Sequence, residues 1–244
     1  SLKFKIMELK NKTVIITGAA RIGQLVAQAL KDRGANLVIA YFNNPKEAEL
    51  GFGVQAAVSK KEDIVRLVTE AKKKFGSVDA LVHMAAIYEK SLWEDLDESH
   101  FDKNMNIIAK SSYLLGKIAG DEMLKNPGDT NGVMGKMIFF SDWSVLTRPY
   151  SEYLAYNAAK AAVVGLTKSL AKVLAPHVLV NAIAPGPMLR PPDLDDEENK
   201  EVLSKTLLQR WGGAEEITKG VLYLLEADFV TGTVLTIDGG RTIA

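Results

Sequence analysis

Short apolar runs alternate with amphipathic stretches along the whole chain. Thr13–Thr17 is a β-branched apolar run without a polar face, the pattern of a strand buried on both sides. It ends on Gly18, and after Ala19, Ala20, Arg21, Ile22 and Gly23 the stretch 24–33 sets Leu25, Val26, Ala29 and Leu30 on one helical face. Residues 36–40 predict a second strand and 54–58 a third. A charged helix over 60–75 follows, with Ile64, Leu67, Val68 and Ala71 inward, and then a fourth strand at 80–84. The stretch 97–120 reads as one long helix carrying Asn104 and Asn106, and 137–140 as a fifth strand. An apolar helix continues through Leu174, a sixth strand covers 178–183, a helix 217–225 and a last strand Val234–Ile237. Strands alternating with helices, without internal repeats, predict an α/β fold in one domain: a doubly wound parallel sheet flanked by helices. Chemistry then belongs at the carboxyl ends of the strands.

Two stretches at such ends carry candidate chemistry. The strand, glycine turn and helix around Gly18 and Gly23 bring backbone amides and a positive helix end to one place, suited to a phosphate; a plain βα turn has the same pattern. Tyr156 and Lys160 stand four apart on a helix and share a face, and an ammonium beside a phenol favours its anion, which makes a proton-transfer pair. The same spacing also arises on ordinary amphipathic helices. Pro185, Gly186, Pro187, Pro191 and Pro192 then break the pattern before an acidic run over 193–201, so 187–207 is the expected substrate lid, although the charge run by itself reads as a solvated face.

Composition narrows the function classes. With 244 residues, 47% of them hydrophobic, the chain is long enough for one large core. Thirty basic and thirty acidic residues leave no surplus charge for a phosphate backbone, so a small-molecule substrate is expected rather than nucleic acid. The absence of cysteine excludes thiolate metal sites, disulfides and cysteine nucleophiles and fits a reducing cytoplasm. His83, His100 and His177 are isolated, which predicts packing or surface roles and no metal. No run reaches the length of a membrane span, and a soluble cytoplasmic protein is expected.

With these pieces placed, the chain resembles the short-chain dehydrogenase/reductase family over nearly its whole length. The resemblance rests on Thr17, Gly18 and Gly23; Asn106; Tyr156 with Lys160; Asn181, Ala184, Pro185 and Gly186; Thr231 and Gly232; and Asp238, Gly239 and Gly240. It implies a Rossmann-type fold, a nicotinamide cofactor, hydride transfer between a carbonyl and an alcohol or a related C=N bond, and a homotetramer or homodimer. It also implies that Tyr156 is the acid/base, that Lys160 bonds the nicotinamide ribose and lowers the tyrosine pKa, and that Asn106 holds a relay water. Cofactor contacts are expected from Gly18, Arg21, Ile22, Gly23, Tyr41, Asn43, Ala85, Ser141, Tyr156, Lys160, Pro185 and Gly186. No acidic residue stands in Tyr41, Phe42, Asn43 and Asn44 after the second strand, and Arg21 is a cation in the glycine turn, so NADP(H) is expected over NAD(H).

The departures are specific. Gly18 and Gly23 are one residue closer than the family pattern, Ala57 stands where an aspartate is usual, and His83, Met84, Ala85 and Ala86 replace Asn, Asn, Ala, Gly. For the family's carbonyl-polarising serine, counting along the fifth strand reaches Asp142, whereas counting back from Tyr156 reaches Trp143; Ser141 and Ser144 flank them. Strands accept insertions less readily than loops, which selects Asp142. An aspartate there, with Arg21 in the turn and Tyr88 after the fourth strand, resembles the pteridine reductase branch, with Asp142, Tyr88 and Met188 toward a pterin-like substrate. An ordinary ketone or 3-oxoacyl reductase is the alternative within the family. A dinucleotide-sensing or scaffold protein without turnover is the alternative outside it, favoured by the shortened turn and opposed by Tyr156, Lys160 and Asn106.

Overall fold

The structure, a computed structural model, describes residues 8–192 and 194–244, so Asp193 of the expected lid lies outside the described residues. Seven strands, β1 Thr13–Thr17, β2 Asn36–Tyr41, β3 Phe52–Gln55, β4 Ala80–His83, β5 Gly135–Phe140, β6 Val178–Pro185 and β7 Val234–Ile237, form one sheet in the order β3-β2-β1-β4-β5-β6-β7. Every neighbouring pair is parallel. The order reverses between β1 and β4, and there the connections leave in opposite directions and open a crevice at the strand ends.

Alternation along β1 shows how both faces are covered. Ile15 joins a core cluster with Leu67, Leu115, Phe139 and Val163, whereas Val14 and Ile16 join another with Val26, Leu30, Ile138, Val221 and Leu225. The first layer comes from α2 Lys61–Phe75, α4 Ser111–Met123 and α6 Leu154–Leu174, the second from α1 Ile22–Asp32 and α8 Ala214–Glu226. Each fully buried aliphatic side chain contributes about 1.5–3 kcal/mol, so a sheet apolar on both faces is stable only between two helix layers.

Among the boundaries that differ from the sequence expectation, three bear on packing. β3 ends at Gln55 because the Asp63 carboxylate accepts the N–H of Ala57 at 2.8 Å and turns the chain toward α2. The single helix expected over 97–120 is α3 Glu98–Asn104, a π-helical segment Met105–Lys110, and α4. β5 begins two residues early and takes in Lys136, whose side chain is 1% exposed. Its ammonium donates to Leu225 O, Ala227 O and Asp228 Oδ1 at 2.6 to 2.9 Å, which compensates a buried charge inside a strand. Among the described residues no helix is long and apolar enough to cross a membrane.

Candidate active site

β1 delivers the chain to Gly18 with φ 71°, and a Cβ there would stand 2.6 Å from Ala85 N. At Gly23 a Cβ would run into Gly18 O, so the shortened turn folds tightly on its own backbone. Arg21 takes a positive φ of 51°, rare for a residue with a side chain. The N–H groups of Arg21 and Ile22 open α1 with no acceptor among the described residues, which leaves donors and the positive helix end facing the crevice.

Beyond the neighbouring strands, α6 begins at Leu154 and turns both Tyr156 and Lys160 inward, each at most 6% exposed. Tyr156 Oη donates to Asp142 Oδ2 at 2.8 Å, and Asp142 Oδ1 accepts the N–H of Ser144 at 2.8 Å. Both oxygens thus act as acceptors, the arrangement of a carboxylate. Lys160 Nζ donates to Phe140 O at 2.7 Å and lies 5.7 Å from the centre of the Tyr156 ring. Ser141 is drawn away from the cleft, its hydroxyl donating to Lys160 O at 3.0 Å.

The electrostatics correct one expectation. Burial, and then the charge and hydrogen bond of Asp142, hold the Tyr156 phenol well above its ordinary pKa. The net shift is upward even with Lys160 behind the ring, and burial pushes the Lys160 ammonium itself to about 8, against the opposing pull of Asp142. In this geometry Tyr156 is held as a phenol around neutrality.

His83, at the end of β4, is a buried polar link. Burial, then the charge of Lys160, lower its pKa to about 3, so the ring is neutral. Its Nδ1 and Nε2 lie 2.6 Å from Thr17 Oγ1 and 2.8 Å from Ser111 Oγ. Ser111 donates to Ile107 O and Thr17 accepts the N–H of Ala85, which makes Nε2 the protonated nitrogen. One polar chain thereby ties the ends of β1 and β4 to the π-helical segment that carries Asn106.

Two cavities of about 490 and about 430 Å³ lie end to end along the strand termini and share Gly18, Ala20 and Met84. The smaller is walled by Phe42, Glu47 and residues 56–59. The larger contains Asp142, Tyr156 and Tyr88. Two linked cavities meeting at a glycine turn with free amide donors fit a dinucleotide, with its pyrophosphate at the turn.

Comparison with known proteins decides the family. A family model described as Enoyl-(Acyl carrier protein) reductase matches residues 18–242. The chain belongs to the short-chain dehydrogenase/reductase family. It is 32% identical over 259 residues to an NAD-dependent glycerol dehydrogenase of Listeria innocua, covering 98% of this chain and 97% of that protein. It is 30% identical over 239 residues to a dihydromonapterin reductase of Enterobacter sp., covering 95% and 97%. The ligand-free structure of Thermoplasma acidophilum aldohexose dehydrogenase superposes with a TM-score of 0.88 at 25% identity, covering 98% of this chain and 97% of that one. The protein is an oxidoreductase of a family that uses nicotinamide cofactors.

Within this family frame the expected residues divide into groups. Gly18, Arg21, Ile22, Gly23, Pro185, Gly186, Tyr88, Asp142, Tyr156 and Met188 all line the larger cavity, and Ala85 lines the smaller. Lys160 and Ser141 stand behind the wall. Tyr41 packs against Gly53 and Asn43 is exposed, while Phe42 and Glu47 face the smaller cavity in their place. Asn106 Oδ1 accepts from Lys110 Nζ at 3.1 Å instead of joining Tyr156 or Lys160. Asn181 clamps Val230 O and Thr233 N, and Asp238 accepts from Gly240 N and Thr242 N, so these motif residues hold the fold.

Sequence reasoning missed the aromatic wall and one cation. Tyr88 stacks on Tyr153 at 4.3 Å and meets Tyr156 edge-on at 5.0 Å. Trp143 Nε1 donates to Tyr150 Oη at 2.8 Å, and the Arg241 guanidinium lies 4.9 Å over the Trp143 ring. Tyr150, Tyr153 and Tyr156 recur every three residues, a signal available in the sequence; nothing local marks Arg241.

Proposed function

We propose that this protein is an NADP(H)-dependent reductase of a carbonyl or C=N bond, with Tyr156 as proton donor. The observation that carries the reading is the 2.8 Å hydrogen bond from Tyr156 to Asp142 on the wall of the larger cavity. The nicotinamide, when bound, supplies the hydride to the substrate carbon. Tyr156, kept a phenol by burial and by Asp142, gives its proton to the oxygen or nitrogen that gains the electron pair. Asp142 accepts from a substrate N–H, neutral or protonated, and Lys160 places its positive charge behind the phenol, favouring the anion that forms. Asn106 is left out of this proton path, since its side chain is engaged by Lys110.

An acceptor carboxylate beside the proton donor, a 55% exposed Tyr88 in the same cavity and the likeness to a dihydromonapterin reductase support a flat pterin-like heterocycle as substrate. An aliphatic ketone is the second reading, favoured by the apolar wall of Met188, Leu189, Pro191 and Leu194. For the nucleotide, Arg21 in the glycine turn supports the 2′-phosphate of NADP(H), whereas Glu47 in the smaller cavity favours a ribose 2′-hydroxyl and NAD(H). Self-association as a homotetramer or homodimer is supported by an apolar face of Trp93, Phe101 and Leu154, 82%, 50% and 54% exposed.

The test is a titration with NADPH and NADH by nicotinamide fluorescence, followed by addition of a dihydropterin and of short ketones. Oxidation of NADPH by the dihydropterin is the expected result. Binding without oxidation by any acceptor would remove the reductase reading, and an unaltered pterin-to-ketone activity ratio in Asp142→Ala would remove the pterin.

A further inference from the structure

Resting on the reductase reading, we infer that Arg241 holds an anionic group of the substrate, a carboxylate, at the lid end of the larger cavity. The cavity has polarity. At one end stand Asp142 and Tyr156, an acceptor and a proton donor. At the other stands Arg241, which opens the short turn Arg241–Ile243 and is aimed into the cavity by Asp238, whose carboxylate takes Thr242 N at 2.6 Å and Gly240 N at 2.9 Å.

The surroundings of the guanidinium leave it suited to an anion. Its face lies over Trp143, which fixes the plane of the fork. Nη1 donates to Val202 O at 2.6 Å and to Thr206 Oγ1 at 3.2 Å, so it also holds the segment around α7 Asp196–Ser204. Nε and Nη2 have no acceptor, and no carboxylate lies within 4.0 Å of the group, among the described residues. The carboxylates nearest in charge are committed elsewhere: Glu201 pairs with Lys205, and Asp238 caps its own turn. Arg148 adds a second positive charge at this end, and the other polar neighbour is the Tyr150 hydroxyl, already bonded by Trp143. A half-buried cation with a fixed plane and three unmatched N–H donors recognises a carboxylate in two-point fashion.

Trp143 follows Asp142 directly, so the two ends are joined by one side chain, and the substrate class is an oxo acid or an acid-bearing heterocycle whose reducible bond reaches Tyr156 while its carboxylate reaches Arg241. The same residue couples recognition to the lid, because the atoms that fix Arg241 belong to residues 202 and 206.

The experiment measures binding by quenching of tryptophan fluorescence, Trp143 and Trp211 both lining the cavity. Two matched pairs are titrated in the presence of NADPH: pterin-6-carboxylate against 6-methylpterin, and acetoacetate against its methyl ester. The expected result is an acid member bound about tenfold more tightly than its neutral partner in at least one pair, the worth of one charge-assisted contact. That ratio should fall to about one in Arg241→Met and to an intermediate value in Arg241→Lys, with NADPH fluorescence verifying that each variant keeps its nucleotide site. No acid preference in either pair, or a preference that survives Arg241→Met, would overturn the inference. NADPH oxidation is read separately: acid preference without oxidation leaves the Arg241 site standing and removes the reductase reading alone.

Discussion

Tyr156 points its hydroxyl proton at Asp142, at 2.8 Å, while Lys160 on the same helix face spends its own hydrogen bond on Phe140 O at 2.7 Å. The three groups are therefore ordered as carboxylate, phenol and ammonium. Burial first, and then the carboxylate, raise the phenol pKa, and the ammonium lies over the ring, 5.7 Å from its centre.

Tyr156→Phe should lower reduction by about 10²–10⁴-fold, the usual worth of a positioned general acid, and leave NADPH affinity within experimental error. Steady-state rates beside a fluorescence titration check this. Turnover surviving in the variant would remove the proton-donor role.

Asp142→Asn removes the carboxylate charge that, after burial, raises the phenol pKa. The pH at which Tyr156 ionises should fall. Alcohol oxidation, which needs the tyrosinate as base, should therefore rise at lower pH in the variant than in the wild type, and a pH profile of the oxidation rate measures the shift.

Lys160 makes a distinct stability prediction. Its folded pKa of about 8 lies below the ordinary value of 10.5, so between these the unfolded chain binds the proton and the folded chain does not. Stability conferred through this group then rises with pH from about 8 to 10.5, and the burial cost of the charge is fully present below 8. Melting temperatures of Lys160→Met and wild type, without nucleotide, should draw toward the wild type's favour as pH rises through that window. A difference independent of pH would mean that Lys160 does not titrate there.

Glu47→Gln and Arg21→Ala probe the nucleotide in opposite senses. Removing the Glu47 carboxylate from the smaller cavity should raise affinity for NADPH relative to NADH, and removing the Arg21 cation should lower it. Equal effects on both nucleotides in Arg21→Ala would refute its contact with a 2′-phosphate.

Lys136→Ala should cost about 3–5 kcal/mol in denaturant unfolding, because it leaves Asp228 and two carbonyls without their partner. The KM for NADPH should be unaffected, since Lys136 lies at the opposite end of β5 from Asp142.

Periodicity and spacing along the chain were sufficient for the sheet, both helix layers, the glycine turn and the pairing of Tyr156 with Lys160 on one helix face. Those features depend on neighbours within a few residues: the β-branched run of Thr13–Thr17, the apolar stripe of α1, and a four-residue step on α6. Counting along the fifth strand also selected Asp142, a residue that the fold brings to 2.8 Å from Tyr156 Oη. The direction of the Tyr156 shift was not legible, since it depends on burial and on a carboxylate 14 residues away. Lys136 fell outside the expected strand because its partners lie about 90 residues on, and nothing local marked Arg241 because Trp143 and Val202 reach it only in the folded chain. Local pattern sets where backbone elements form, whereas the charge state and reach of a side chain depend on the low-dielectric surroundings and distant partners that packing assembles.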